Sequence, residues 1–112
     1  MPSAAAGAFG AARAGLNFLV KCLALELGPH GIRVNAACPL AIVPAGGLAQ
    51  NPGLARMVAQ SGKTADALFS QSIPLGRPQT VEETASVMAF LALDATFVSG
   101  EAWTVAGGAV GG

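Results

Sequence analysis

Tyrosine is absent from all 112 residues, so no phenol is available anywhere in the chain to carry a proton. Histidine occurs once, as His30 in a Pro-His-Gly turn, where a solvated ring is expected and no catalytic role follows. Cys22 and Cys38 stand alone, without zinc or redox spacing, and are expected to be buried reduced thiols, with no metal site. Charge is equally scarce: charged residues make up 11% of the chain, against about 25% in soluble domains. Six basic and six acidic residues cancel and are thinly spread. They build neither a basic stripe for nucleic acid nor a polybasic membrane anchor, so neither is expected as a partner. The longest uncharged run, Val34 to Ala55, is broken by Pro39, Pro44, Pro52, Gly46, Gly47 and Gly53 and is not read as a membrane span. The opening Met-Pro-Ser-Ala-Ala-Ala-Gly lacks a basic segment followed by a continuous apolar one, so no signal peptide is expected and a cytoplasmic location is.

What the chain does hold is apolar surface. Hydrophobic residues amount to 53%, and a chain this short forms one small domain, residues 1–112, with little interior in which to hide them. Part of that surface is expected to meet a partner.

The apolar pattern predicts a helix over about Ala8–Leu27, with Leu16, Leu19, Val20, Leu23 and Leu27 on one face, ended by Gly28-Pro29 as a left-handed cap and a breaker. Ile32, Val34, Ala36 and Cys38 alternate with Arg33, Asn35 and Ala37, which predicts a strand over 32–38. Between Pro39 and Pro78 the chain is rich in Gly, Pro, Ser and Gln, with short helices expected near Leu54–Gln60 and Ala65–Gln71. Thr80-Val81-Glu82-Glu83 is a capping box opening a helix to about Leu93, and adjacent Glu82 and Glu83 are read as helix-start charges rather than an acid/base pair. A last strand is expected over Ala102–Val105, parallel to the first because a long crossover joins them.

Three blocks carry a resemblance. They are Phe9-Gly-Ala-Ala-Arg13 continuing through Gly-Pro-His-Gly-Ile-Arg-Val-Asn-Ala-Ala-Cys-Pro39, then Ile73-Pro-Leu-Gly-Arg77, then Phe97-Val-Ser-Gly-Glu-Ala-Trp-Thr-Val-Ala-Gly-Gly108. In this order and spacing the chain resembles the C-terminal half of a short-chain dehydrogenase/reductase. The resemblance implies an α/β fold: a partial Rossmann-like unit, the C-terminal helix-strand-helix-strand portion of a doubly wound parallel sheet. In that family a tyrosine moves the proton at the substrate oxygen, and a lysine holds the nicotinamide ribose and lowers the tyrosine pKa. The matching positions here are Phe9 and Arg13. A phenyl ring cannot do general acid/base work, a role worth a factor of about 10² to 10⁴ in rate. Arg13 keeps a charge in a wider planar fork, with ribose contact and plain helix-surface charge both open for it.

The family's catalytic serine would fall before Met1, and Ser3 is too close to Phe9 to be its match. The glycine-rich cofactor turn has no counterpart, since fifteen glycines include no Gly-x-Gly. Where the family has Pro-Gly the chain reads Pro39-Leu40, and Ile42-Val43-Pro44 replaces the threonine segment that touches the cofactor. By resemblance, Arg13, Leu40 and Ile42 are the residual cofactor-binding positions. Val105-Ala106-Gly107-Gly108 stands for the family's Val-Asp-Gly-Gly. Arg77 matches a family arginine and is expected to tie the substrate lid to the body.

No cofactor is expected for these residues alone, and NAD or NADP is expected if a separate half completes them. Three roles stay open. The chain is a shortened dehydrogenase-like protein without turnover of its own, or an assembly partner of a full-length relative, or part of an oxidoreductase whose other half is encoded elsewhere. A homo-oligomer, or a hetero-oligomer with a full-length relative, is expected, because the strand at 32–38 would have one unpaired edge.

Overall fold

A computed structural model describes residues 7–109 of the protein; Ser3 and the Gly111-Gly112 pair lie outside them. Alanines and leucines without an internal proline carry α1 (Gly7–Leu27). Its ending differs from the expected one. Pro29 needs no N–H donor in a first turn, so a short 3₁₀ turn, Gly28–His30, follows the helix. The left-handed residue is Gly31, at φ 74°, whose N–H closes on the Gly28 carbonyl at 2.9 Å.

The first strand is shorter than its alternation predicts. β1 covers Ala36–Pro39 only and pairs in parallel with β2 (Ala102–Val105), Ala36 facing Ala102 and Pro39 facing Val105. Residues 32–35 bond instead to the turn that leads into β2. The Gly100 N–H donates to the Val34 carbonyl at 2.7 Å, and the Asn35 side chain donates to Val98 O and accepts from the Glu101 N–H. Side-chain clamps thus take the place of a ladder there.

Between the strands, α2 (Pro52–Ser61) and α3 (Ala65–Ser72) begin at Asn51 and Thr64, whose side chains accept from Leu54 and Ala67 N–H groups. The Thr80–Glu83 capping box forms in both directions and starts α4 (Val81–Ala89). Regular helix stops at Ala89, short of the expected Leu93, because Phe90–Asp94 widens into a π turn in which the Ala95 N–H reaches the Phe90 carbonyl.

That turn leaves the Leu91 and Ala92 carbonyls without helical partners, and Arg33 collects them together with two carbonyls from the turn that follows. Its Nη1 donates to Leu91 O at 2.6 Å, Ala95 O at 2.9 Å and Val98 O at 3.3 Å, while Nη2 donates to Ala92 O at 2.8 Å. The guanidinium also sits at the negative end of a helix, where its charge is favoured.

The apolar cluster is not under the sheet. Leu54, Phe69 and Ile73 form it, with Ala41, Val43, Leu48, Val58 and Ala65 against them. In α1 only Val20 is buried; Leu23 and Leu27 are half-buried, while Leu16 is 55% and Leu19 48% exposed, so the first part of the predicted apolar face has nothing to pack on among the described residues. Gly7–His30 is long and apolar enough to cross a membrane, at mean hydropathy 1.3. Lys21 near its middle opposes that use, at about 2.5–3.5 kcal/mol for a charge at mid-bilayer.

Replacing Arg33 with alanine is expected to lower stability by about 2–4 kcal/mol, since several carbonyls lose a charged donor at once. Arg33→Lys, with one ammonium in place of a fork, is expected to recover less than half of that. Equilibrium urea unfolding of the three proteins measures both differences.

Candidate functional site

In open α/β sheets, ligands bind beyond the carboxyl ends of the strands. Here β1 runs into Leu40-Ala41-Ile42 and β2 into Ala106-Gly107, and the two ends are joined by a residue that the sequence pattern did not single out. Gln79 is buried, and its Nε2 donates to the Leu40 carbonyl at 2.6 Å and the Val105 carbonyl at 2.5 Å. Its Oε1 accepts from the Thr84 hydroxyl on α4. One carboxamide therefore links both strand ends to the first turns of the next helix. The main chain of Gln79 adds a parallel bridge to Ile42, giving its N–H to Ala41 O and taking the Val43 N–H on its own carbonyl.

Ala41 is held at φ 55°, a left-handed conformation rare for a residue with a Cβ, and such strain concentrates where a backbone must be aimed. The turn it makes directs the Ile42 carbonyl to Asn51, whose Nδ2 donates at 2.8 Å. Asn51 thus caps α2 with its oxygen and ties the strand exit with its nitrogen.

Leu40, Ile73, Leu75, Gln79, Ala106 and Gly107 border a cavity of about 50 Å³ here, with Arg77 and Glu83 at its rim. Drug-sized or cofactor pockets occupy about 300–1,000 Å³. Gly107, at φ 60°, closes one wall: a Cβ there would come within 2.8 Å of Ile73 Cγ2, so only glycine lets the strand end approach α3 this closely. Arg77 grips Glu83 with both nitrogens, Nη1 to Oε1 at 2.8 Å and Nη2 to Oε2 at 3.2 Å. Arg77, expected to tie the substrate lid to the body, thus bonds the capping residue of α4 six positions on.

Phe9 and Arg13 lie on α1. Phe9 is 65% exposed, and the Arg13 guanidinium carbon stands 5.4 Å from its ring centroid. This is an i,i+4 cation–π contact. Leu40 and Ile42 are brought together by Gln79, Phe9 and Arg13 by their helical spacing, and no hydrogen bond joins the two pairs among the described residues. A link between α1 and the sheet is the Cys38 thiol, which donates to Asn17 Oδ1 at 3.5 Å. Cys22 and Cys38 are both half-buried free thiols.

Against this geometry, a family model described as Enoyl-(Acyl carrier protein) reductase matches residues 1–110. An uncharacterized short-chain type dehydrogenase/reductase of Sinorhizobium fredii is 37% identical over 110 residues, 97% of this chain and 19% of that protein. A probable 2,4-dienoyl-CoA reductase of Bacillus subtilis is 41% identical over 100 residues, 88% of this chain and 36% of that one. Among solved structures, a short-chain dehydrogenase/reductase family oxidoreductase from Burkholderia thailandensis superposes at a TM-score of 0.76 with 30% identity, covering 94% of this chain and 39% of its own. The chain spans between a fifth and two fifths of the length of these relatives.

The carboxyl of Glu83 is held below its ordinary value, first by the hydrogen bond from Arg77 and then by the Thr80 N–H, while Arg77 is raised by the same contact. A carboxyl lowered in the folded state stabilises the fold above its unfolded pKa and stops doing so as pH falls through the folded value. Glu83→Gln is therefore expected to flatten the acid side of the stability profile. Urea midpoints of the two proteins between about pH 6 and pH 3 should fall more for the native chain, by a small margin because the pair is exposed.

Proposed function

The chain belongs to the short-chain dehydrogenase/reductase family, and from that premise we propose that these 112 residues perform no oxidoreductase turnover on their own. The observation that carries this reading is Phe9. At the position that resembles the family's tyrosine stands an exposed phenyl ring with Arg13 against it, and no tyrosine exists elsewhere to substitute. A proton arriving at or leaving a substrate oxygen has no phenol to travel through.

The cofactor side supports the same reading. A dinucleotide needs a glycine turn at a helix start for its pyrophosphate, and no Gly-x-Gly occurs. At the strand ends the Ile42 carbonyl is already engaged by Asn51, and the cavity beside Leu40 holds about 50 Å³. These residues do not fit a nicotinamide dinucleotide by themselves. With a complementary half, Arg13, Leu40 and Ile42 would border NAD or NADP, and the protein would be part of an NAD(P)-dependent oxidoreductase.

A second reading rests on the exposed side chains. Leu16, Phe18, Leu19 and Leu25 on α1, together with Leu93 and Phe97, are largely solvent-exposed. Apolar surface on this scale favours an assembly role, in which the chain docks on itself or on a full-length relative in the cytoplasm.

The decisive assay is NADH and NADPH oxidation by the purified chain across carbonyl and enoyl substrates. No turnover is expected, and none is expected from Phe9→Tyr/Arg13→Lys, because restoring a proton donor supplies no seat for the cofactor. Turnover by the native chain that is lost on changing Arg13 would overturn the proposal. Turnover by the double variant alone would show that these residues do accept the cofactor and that only the proton carrier is missing.

A further inference from the structure

Residues 43–78 leave the sheet beside Ile42 and return to it at Gln79, and they bring their own interior with them. Leu54, Phe69 and Ile73 form the apolar cluster, and every side chain packed against them lies between Ala41 and Ala65. Among the described residues, neither α1, α4 nor either strand contributes to it. Both helices inside this segment are also capped from within it, α2 by Asn51 and α3 by Thr64.

The polar ties between this segment and the rest gather at its neck. The Ile42–Gln79 bridge closes it, with the Val43 N–H on Gln79 O at 3.0 Å and the Gln79 N–H on Ala41 O at 3.1 Å. Asn51 holds the Ile42 carbonyl. Two further ties lie close by: the Leu75 N–H donates to Gly107 O at 3.0 Å, and Arg77 pairs with Glu83 in an exposed ion pair that contributes little. Gln79 differs from the other side chains at the neck because it is buried and because its carboxamide touches three separate parts. Those are the exit of β1 at Leu40, the exit of β2 at Val105 and, through Thr84, the start of α4.

Parting that neck would strip the carboxamide and two carbonyls of their partners at once. Leaving buried polar groups unpaired is costly, so these bonds hold or release together. Ala41 stores the complementary strain. Its φ of 55° is imposed from both sides, by Gln79 on the Leu40 carbonyl and by Asn51 on the Ile42 carbonyl, and releasing either lets it relax.

We propose that the Gln79 carboxamide is a latch: it holds residues 43–78, a preformed body, shut against the carboxyl ends of β1 and β2, and that body opens as a unit about Ala41. Closed, Ile73 and Leu75 wall the cavity against Leu40, Ala106 and Gly107 and limit it to about 50 Å³. Open, the same strand ends face solvent. The latch goes beyond the reading of turnover, because its partners are main chain and one hydroxyl, all within the described residues, and none is a ligand.

Amide hydrogen exchange of the 112-residue chain tests it. In the native chain the Val43, Leu75 and Gln79 amides, whose bonds cross the neck, are expected to share one opening equilibrium. The Ala55 and Leu68 amides, bonded inside the body, are expected to exchange about tenfold or more slowly than these, since the body opens without unfolding. Gln79→Met, apolar and of similar length, is expected to speed exchange at Val43 and Leu75 about 10- to 100-fold. Ala55 and Leu68 should keep their rates, as should Gly100, whose bond to Val34 lies at the far end of the strands. Thr84→Val removes the hydroxyl that holds the carboxamide oxygen and lies outside the body. It is expected to act on the same two amides less strongly, and to add nothing to Gln79→Met.

Unchanged exchange at Val43 and Leu75 in these variants would overturn the proposal. So would faster exchange at Ala55 and Leu68 in step with the neck, which means that the segment unfolds rather than opens. Equal acceleration at Gly100 also counts against it, since Gln79 would then support the sheet as a whole. If Gln79→Met does not fold, Thr84→Val and the native chain decide: a native chain whose neck amides exchange at one rate with those of α2 and α3 has no latch.

Discussion

Carbonyls at a widening helix end and in the turn that follows it meet one guanidinium, and most of the architecture hangs on that meeting. The π turn at Phe90–Asp94 breaks the regular pairing of α4 and aims Leu91, Ala92 and Ala95 carbonyls toward the lead-in to β1. Arg33 reaches all of them, and Asn35, two residues on and therefore on the same side, fixes Val98 and Glu101. Only with the 98–101 turn pinned in this way does β2 start opposite Ala36, which sets the register of the whole sheet. Among the described residues no carboxylate balances the arginine; carbonyl dipoles at a helix end do so, a strong arrangement because each bond has a charged donor.

Gln79 performs the matching task at the opposite end of the strands. Its amide spans Leu40 and Val105 on one side and Thr84 on the other, so the carboxyl ends of β1 and β2 and the start of α4 move as one body. Arg33 and Gln79 clamp a sheet of only two strands, a size that is marginal by itself. The clamps are the more necessary because the apolar cluster sits among α2, α3 and the Ala41–Val43 segment rather than beneath the sheet. Among the described residues no large side chain is fully enclosed. The stability of the sheet thus leans on polar bonds at its two ends.

Local signals were the legible ones. Thr80 and Glu83 show a capping box because both partners lie within one turn, and the structure forms it in both directions. The α2 and α3 positions and the short final strand follow from similarly local patterns. The strand at 32–38 was legible as alternation but not as length: alternation reports which face a side chain takes, whereas a ladder needs a neighbour, and the neighbour begins only at Ala102. Gly28-Pro29 marked the end of α1 correctly, yet the left-handed residue fell three positions later, at Gly31, because proline permits one more 3₁₀ turn. Arg33 and Gln79 were out of reach. Their partners lie 58 to 65 and 26 to 39 residues away, and nothing in a linear pattern records a bond from a side chain to a distant carbonyl.

The Phe9–Arg13 pair shows how one spacing can serve two purposes. Residues four apart on a helix stand one above the other, and the resemblance implies that a phenol and an ammonium at these positions would tune each other for proton transfer. With a phenyl ring and a guanidinium the same spacing yields a cation–π contact, worth about 0.5–1 kcal/mol at an exposed site. Such a contact stabilises one turn of helix and keeps a charge on an otherwise apolar surface. On the proposed reading, that is the direction of change throughout the chain. Positions that would aim a cofactor or carry a proton instead hold packing groups: Leu40 lines a small cavity, the Ile42 carbonyl is tied to α2 through Asn51, and Phe9 holds Arg13. The helix and strand scaffold survives because Arg33 and Gln79, which bind main chain rather than ligand, are indifferent to whether any reaction takes place.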